Sequence, residues 1–162
     1  MDNEVLLVLL SKLGERFGSG MLLSPVDIPR ESYDRQRGQY DSAILLKLAA
    51  AAQGERVLGI TSVDMFAPGL NFVFGRALLG GKGCIISIAR LRHQDPGIFA
   101  DRTIKEAVHE LGHTFGLDHC SNPGCVMFFS NSILDTDRKG DGFCRRCESD
   151  LERIGAKQGI RG

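Results

Sequence analysis

The segment HELGHTFGLDHC, residues 109 to 120, holds three of the chain's four histidines together with a carboxylate and a thiol. On a helix over residues 103 to 115, His109 and His113 lie about 40° apart at roughly 100° per residue, so both imidazoles reach one ion. Gly116 ends that helix, because glycine adopts the left-handed backbone that lets a chain leave sharply. The turn brings His119 back as a third ligand, and three neutral imidazoles leave one corner of a tetrahedral zinc open for water, as in catalytic sites. Zinc lowers the pKa of such a water towards about 7, and Glu110 stands beside it as general base. The expected reaction is hydrolysis of a peptide bond by zinc-bound water, its proton passing through Glu110 to the leaving amine. A bare HExxH also arises in helices with solvated histidines; the added glycine and third histidine make the pattern specific.

Four of the five cysteines form two short-spaced pairs, Cys120 with Cys125 and Cys144 with Cys147, separated by eighteen residues. Four thiolates close a tetrahedral zinc completely, which makes a site structural. Two disulfides or an iron–sulfur cluster compete with zinc here, and a reducing compartment counts against the disulfides. In an extended strap adjacent side chains point to opposite sides, so His119 can serve one metal and Cys120 the other. The remaining thiol, Cys84, falls in an apolar run and reads as a small buried hydrophobe. His93 reads as a solvated loop residue.

HExxHxxGxxH resembles the motif of the metzincin metallopeptidases, and its continuation narrows the likeness. A cysteine directly after the third histidine, then Cys125, Met127 and the Cys144–Cys147 pair, is similar to the archaemetzincin family. The spacer from Met127 to Cys144 is sixteen residues, slightly short of the family's. Weaker signals upstream are the segments RGQYD (37 to 41) and LNFVFG (70 to 75). The resemblance implies a small zinc-dependent peptidase with a second zinc on four cysteines, no pro-segment, and Met127 in a tight turn beneath the zinc histidines. Some metzincins place a tyrosine downstream of that turn; Tyr33 and Tyr40 both lie far upstream.

The elements that must position these groups read as an α/β (α+β) fold. Strand signals fall at 4 to 10, 20 to 28, 56 to 63, 70 to 76 and 83 to 91, with helices near 11 to 17 and 39 to 53. A glycine-rich hairpin over 77 to 83 joins the last two strands. A mixed five-stranded sheet with one antiparallel member, backed by helices, follows. The metzincin likeness puts that member, residues 70 to 76, at the sheet edge above the cleft, where an extended peptide can pair with it. Thr103 with Glu106 suggests a capping box for the active-site helix. Residues 147 to 155 suggest a final helix, with a frayed end from Gly155. A single domain is expected, with an N-terminal part (1 to 116) and a zinc-stabilised C-terminal subdomain (117 to 162).

Twenty basic residues balance twenty acidic ones, which removes the long-range attraction of a nucleic-acid or anionic-membrane binder. A nucleic-acid module built on the cysteines with Arg145 and Arg146 is disfavoured on that ground. The apolar start, Val5 to Leu10, is too short to span a bilayer and lacks the basic flank of a signal peptide. The expected protein is a cytoplasmic monomer acting on peptides or proteins. A non-catalytic zinc-bearing peptide binder is the alternative; an intact Glu110 argues against it.

Overall fold

The computed structural model describes residues 3–157. The organising element is α3 (Pro96–Thr114). It begins earlier than the sequence suggests, because Asp95 caps it by accepting from the N–H groups of Gly97 and Ile98 at 2.7 and 3.2 Å, and Pro96 fits the first helical position. Thr103 and Glu106 are therefore helix interior rather than a capping box. The Thr103 hydroxyl donates to the Phe99 carbonyl one turn back, and Glu106 turns into a buried ion pair. The helix stops as expected: Gly116 has φ +100°, its N–H reaches the His113 carbonyl at 2.9 Å and that of Leu117 reaches Gly112 at 3.1 Å. These crossed bonds are a Schellman stop, which glycine permits at low cost.

The helix packs on a sheet built from β3 (Val57–Thr61), β5 (Gly75–Ala77) and β6 (Gly83–Ser87). β6 is central, parallel to β3 and antiparallel to β5, with Arg76 opposite Ile85. The antiparallel edge strand is thus present at the C-terminal end of the segment expected, joined to β6 by the glycine-rich hairpin. Alternation along β6 sends Ile86 towards α3 and Ile85 towards α2 (Ser42–Ala51), the two-faced burial of a central strand. The single five-stranded sheet is corrected: β1 (Tyr33–Asp34), β2 (Gln39–Asp41) and β4 (Met65–Phe66) form a second three-stranded sheet.

Two expected strands are absent. Residues 4 to 10 belong to α1 (Asn3–Phe17), which absorbs the helix expected at 11 to 17. Leu9 and Leu13, four apart, face Ile86, Ala107 and Ile104, while Leu7 and Val8 are exposed. Residues 20 to 28 form no strand and leave Met21, Leu22, Leu23 and Val26 exposed. Pro25 in that run lacks the N–H a ladder needs.

The C-terminal segment wraps the end of α3. Val108 of α3 shares a buried cluster with Leu117, Val126, Met127 and three of the cysteines. The short α4 (Ile133–Arg138) docks on α3 through a bidentate pair, Arg102 to Asp137 at 2.6 and 2.7 Å. α1 is tied in by Arg16, which bonds both the carbonyl and the carboxylate of Asp141, and by Phe17 stacked on Phe115. α5 (Arg145–Lys157) is longer than expected and continues through Gly155, the expected start of fraying; the rest of that expected end, beyond 157, lies outside the described residues.

Candidate metal centres

His109 and His113, one turn apart near the end of α3, turn their Nε2 atoms together at 3.1 Å. Their other nitrogens are fixed from behind: His109 Nδ1 lies 2.8 Å from the Val126 carbonyl and His113 Nδ1 lies 2.7 Å from that of Leu117. A carbonyl only accepts, so each Nδ1 carries the proton and each Nε2 presents a lone pair. His119, delivered by the Schellman turn, brings its ring to 4.8 Å from His113 and 5.2 Å from His109. The donor atoms of all three lie within 4.8 Å of one another. Two inward lone pairs at contact distance suit a cation between them; zinc with nitrogens at about 2.0–2.1 Å sets neighbouring nitrogens roughly 3.4 Å apart.

The electrostatics favour the ligand form. Burial lowers the pKa of His109 well below the usual histidine value, assisted by the positive charge of Lys139; burial also lowers His113 and His119. Neutral imidazole is the form that binds metal. His119, the most exposed of the three, has Phe129 packed against it at 4.9 Å.

Glu110 is only 5 % exposed. Its carboxyl lies against the backbone of Gly75 in β5, where any Cβ would come within 2.5 Å of Cγ and Oε1. Burial pushes the carboxyl well above the usual range, the charge of Glu106 adds to this, and Lys139 opposes it. Behind it Cys84 is buried as expected, its thiol raised by burial and by the Glu110 charge.

The sulfurs of Cys120, Cys125, Cys144 and Cys147 form a second group within 4.8 Å. Cys120 and Cys144 are 3.8 Å apart and Cys125 and Cys147 are 3.7 Å apart. A disulfide needs about 2.05 Å, so the disulfide reading falls; the tetrahedral edge for zinc–sulfur bonds of about 2.3 Å is roughly 3.8 Å. The Asn122 and Cys144 N–H groups and Arg146 donate to these sulfurs, which favours thiolates. The backbone N–H of Cys147 helps bring Cys144 down to about 6, whereas burial raises Cys125 and Cys147. Each group could hold one zinc ion. Met127, fully buried, shares the apolar cluster with Val108 of α3 and three of the cysteines, and its carbonyl accepts from the Cys120 N–H at 2.9 Å.

His93 is exposed and accepts from the Asp95 N–H, outside both groups. Tyr33 and Tyr40 pack on each other in β1 and β2. Sequence reasoning missed Lys139 and Glu106, a buried ion pair at 3.0 Å one turn before His109, and the carbonyls that orient the imidazoles.

A profile of peptidase family M54 matches residues 7–153. The archaemetzincin of Methanopyrus kandleri is 51% identical over 128 residues, 78% of this chain and 73% of that protein. That of Methanocaldococcus jannaschii is 44% identical over 161 residues, 96% of this chain and 89% of that one. The chain belongs to the archaemetzincin family, peptidase family M54. A crystal structure of the Methanopyrus kandleri archaemetzincin superposes with a TM-score of 0.89 at 42% identity, covering 94% of this chain and 86% of that one. Family membership makes this chain a zinc metallopeptidase, a hydrolase whose substrates are peptides, and its mixed α/β fold matches that crystal structure. Among the described residues no helix is long and apolar enough to cross a membrane.

Proposed function

We propose that His109, His113 and His119 hold the catalytic zinc of this peptidase, that Glu110 is its general base, and that Cys120, Cys125, Cys144 and Cys147 hold a structural zinc. A zinc ion at the histidines supplies Lewis acidity and a nucleophile at neutral pH. The chain's own residues do the rest. The proton released in attack on the scissile carbonyl goes to the Glu110 carboxylate, the next residue after His109, and from there to the departing amine. The outer edge of β5, the last strand of its sheet, offers backbone groups to an extended peptide, which aligns the scissile bond. The observation carrying this reading is the convergence of the three imidazoles, with the Glu110 carboxyl of α3 held against β5.

The same reading takes the chain as one domain, in which residues 117 to 162 form a subdomain folded around the cysteine zinc. It is a monomer working in the cytoplasm and indifferent to nucleic acid. Free thiols in the cysteine group support the compartment, and a neutral net charge supports the indifference to nucleic acid. The decisive experiment is a peptide-library digest with zinc-loaded protein and Glu110→Ala as control. Cleavage by the parent alone bears the reading out; equal cleavage by the variant overturns the role of Glu110.

A further inference from the structure

Lys139 follows α4 in a polar stretch of sequence, yet its side chain is 0 % exposed. Its ammonium lies 3.0 Å from Oε1 of Glu106, itself buried, and the same oxygen accepts from the Thr136 hydroxyl at 3.0 Å. The ammonium also donates to the Phe128 carbonyl at 3.4 Å. Glu106 lies three and four positions before His109 and Glu110, on the neighbouring turn of the same helix. Phe128 is two residues past Val126, whose carbonyl orients His109.

We propose that Lys139 is a positioning residue for the three-histidine centre, tying the metal-binding helix through Glu106 to the 126–128 strap that orients His109. The contacts close a ring: Glu106 to Lys139, Lys139 to Phe128, along the strap to Val126, across to His109, and back down the helix. An imidazole on a helix end can rotate about its side-chain bonds, and a carbonyl on a loop can drift; the ring removes both freedoms. Stability alone does not account for the pair. Burying two charges costs so much that an apolar pair of similar volume is often equally stable, so what the ions add is direction. The ammonium serves two acceptors on different segments, which a methyl group cannot do.

This inference rests on the reading of the histidines as zinc ligands, and the experiment separates the two. Zinc per chain and chelator competition are measured on the parent, on Lys139→Met and on Lys139→Met/Glu106→Gln, with cobalt(II) as a spectroscopic probe. One zinc per parent chain, held by the cysteines alone, overturns the underlying reading. Two zincs per parent chain uphold it. The single variant leaves the buried Glu106 charge without its counter-ion, with only the Thr136 hydroxyl bonded to it, and loses thermal stability; the double variant removes both charges and recovers most of that loss. The expected result is that the double variant nevertheless binds the histidine zinc about 10- to 100-fold more weakly, the range for lost outer partners of metal ligands. Its cobalt d–d bands at the histidine site shift, while the thiolate charge-transfer bands of the cysteine site stay in place. Parent-like affinity and spectrum in the double variant overturn the inference. So does a double variant that fails to fold, because the pair is then a general stability element.

Discussion

His119 and Cys120 are consecutive residues that belong to different metal groups: the exposed imidazole joins His109 and His113, and the buried thiol joins the three other cysteines. One peptide unit therefore links the two centres. The Cys120 N–H, bonded to the Met127 carbonyl, anchors that unit to the core beneath α3.

Removing the structural centre must then disturb the other. A structural zinc contributes an apparent binding free energy on the order of 10 to 16 kcal/mol, comparable with the whole net stability of a domain, roughly 5 to 15 kcal/mol. We expect Cys144→Ser/Cys147→Ser to lose the cysteine zinc, to become protease-sensitive beyond Gly116, and to hold the histidine zinc more weakly. Metal analysis with limited proteolysis checks this. A fully occupied, unshifted histidine site in that variant contradicts the coupling.

The two metal groups were legible in the sequence because their spacings carry geometry that little else produces: four residues on a helix, a glycine stop, paired thiols. α1 was not. Six consecutive apolar residues suit a buried strand as well as a helix, and only the contacts of Leu9 and Leu13 with Ile86 and Ala107 decide the matter. The exposed run near Met21 is apolar yet finds no sheet edge, and no local pattern announces that a strand will lack a partner. Lys139 was invisible for a related reason. A lysine among Asp137, Arg138 and Asp141 reads as solvated, and its burial depends on Glu106, thirty-three positions earlier.

Glu110→Ala should retain both zincs and lose turnover by about 10²- to 10⁴-fold, the usual contribution of a positioned acid–base group. His109→Ala should instead lose the histidine zinc, because His109 is a donor whose ring is already oriented by Val126. Metal content measured beside peptide cleavage distinguishes the two. If Glu110→Ala sheds zinc, the carboxyl has a structural role that the base assignment does not include.

Gly75→Ala tests the seat of the base. Its new Cβ needs the space now held by Cγ and Oε1 of Glu110, so either the carboxyl swings away or β5 shifts outwards. Overpacking of this kind costs about 1–3 kcal/mol. We expect a stable, zinc-replete protein with turnover between those of the parent and Glu110→Ala. Parent-like turnover would mean that Glu110 works from another rotamer.

The docking of α4 should depend on pH through Asp137. The Arg102 guanidinium, bonded to both carboxylate oxygens, holds the Asp137 pKa below its ordinary value, with burial opposing. A carboxyl with a folded pKa below its unfolded value, about 3.9, stabilises the fold above that pH, and the contribution disappears as pH falls through the folded value. Arg102 stays protonated throughout, so Asp137 alone sets the window. Asp137→Asn should therefore be less stable than the parent at pH 6 to 7, by a modest amount because the pair is partly solvated, and the gap should close below about pH 4. Urea midpoints of both proteins between pH 7 and 3 measure it. A gap that stays constant across that range assigns the effect to packing or to the neutral hydrogen bonds, and the charge of Asp137 then has no part in holding α4 on α3.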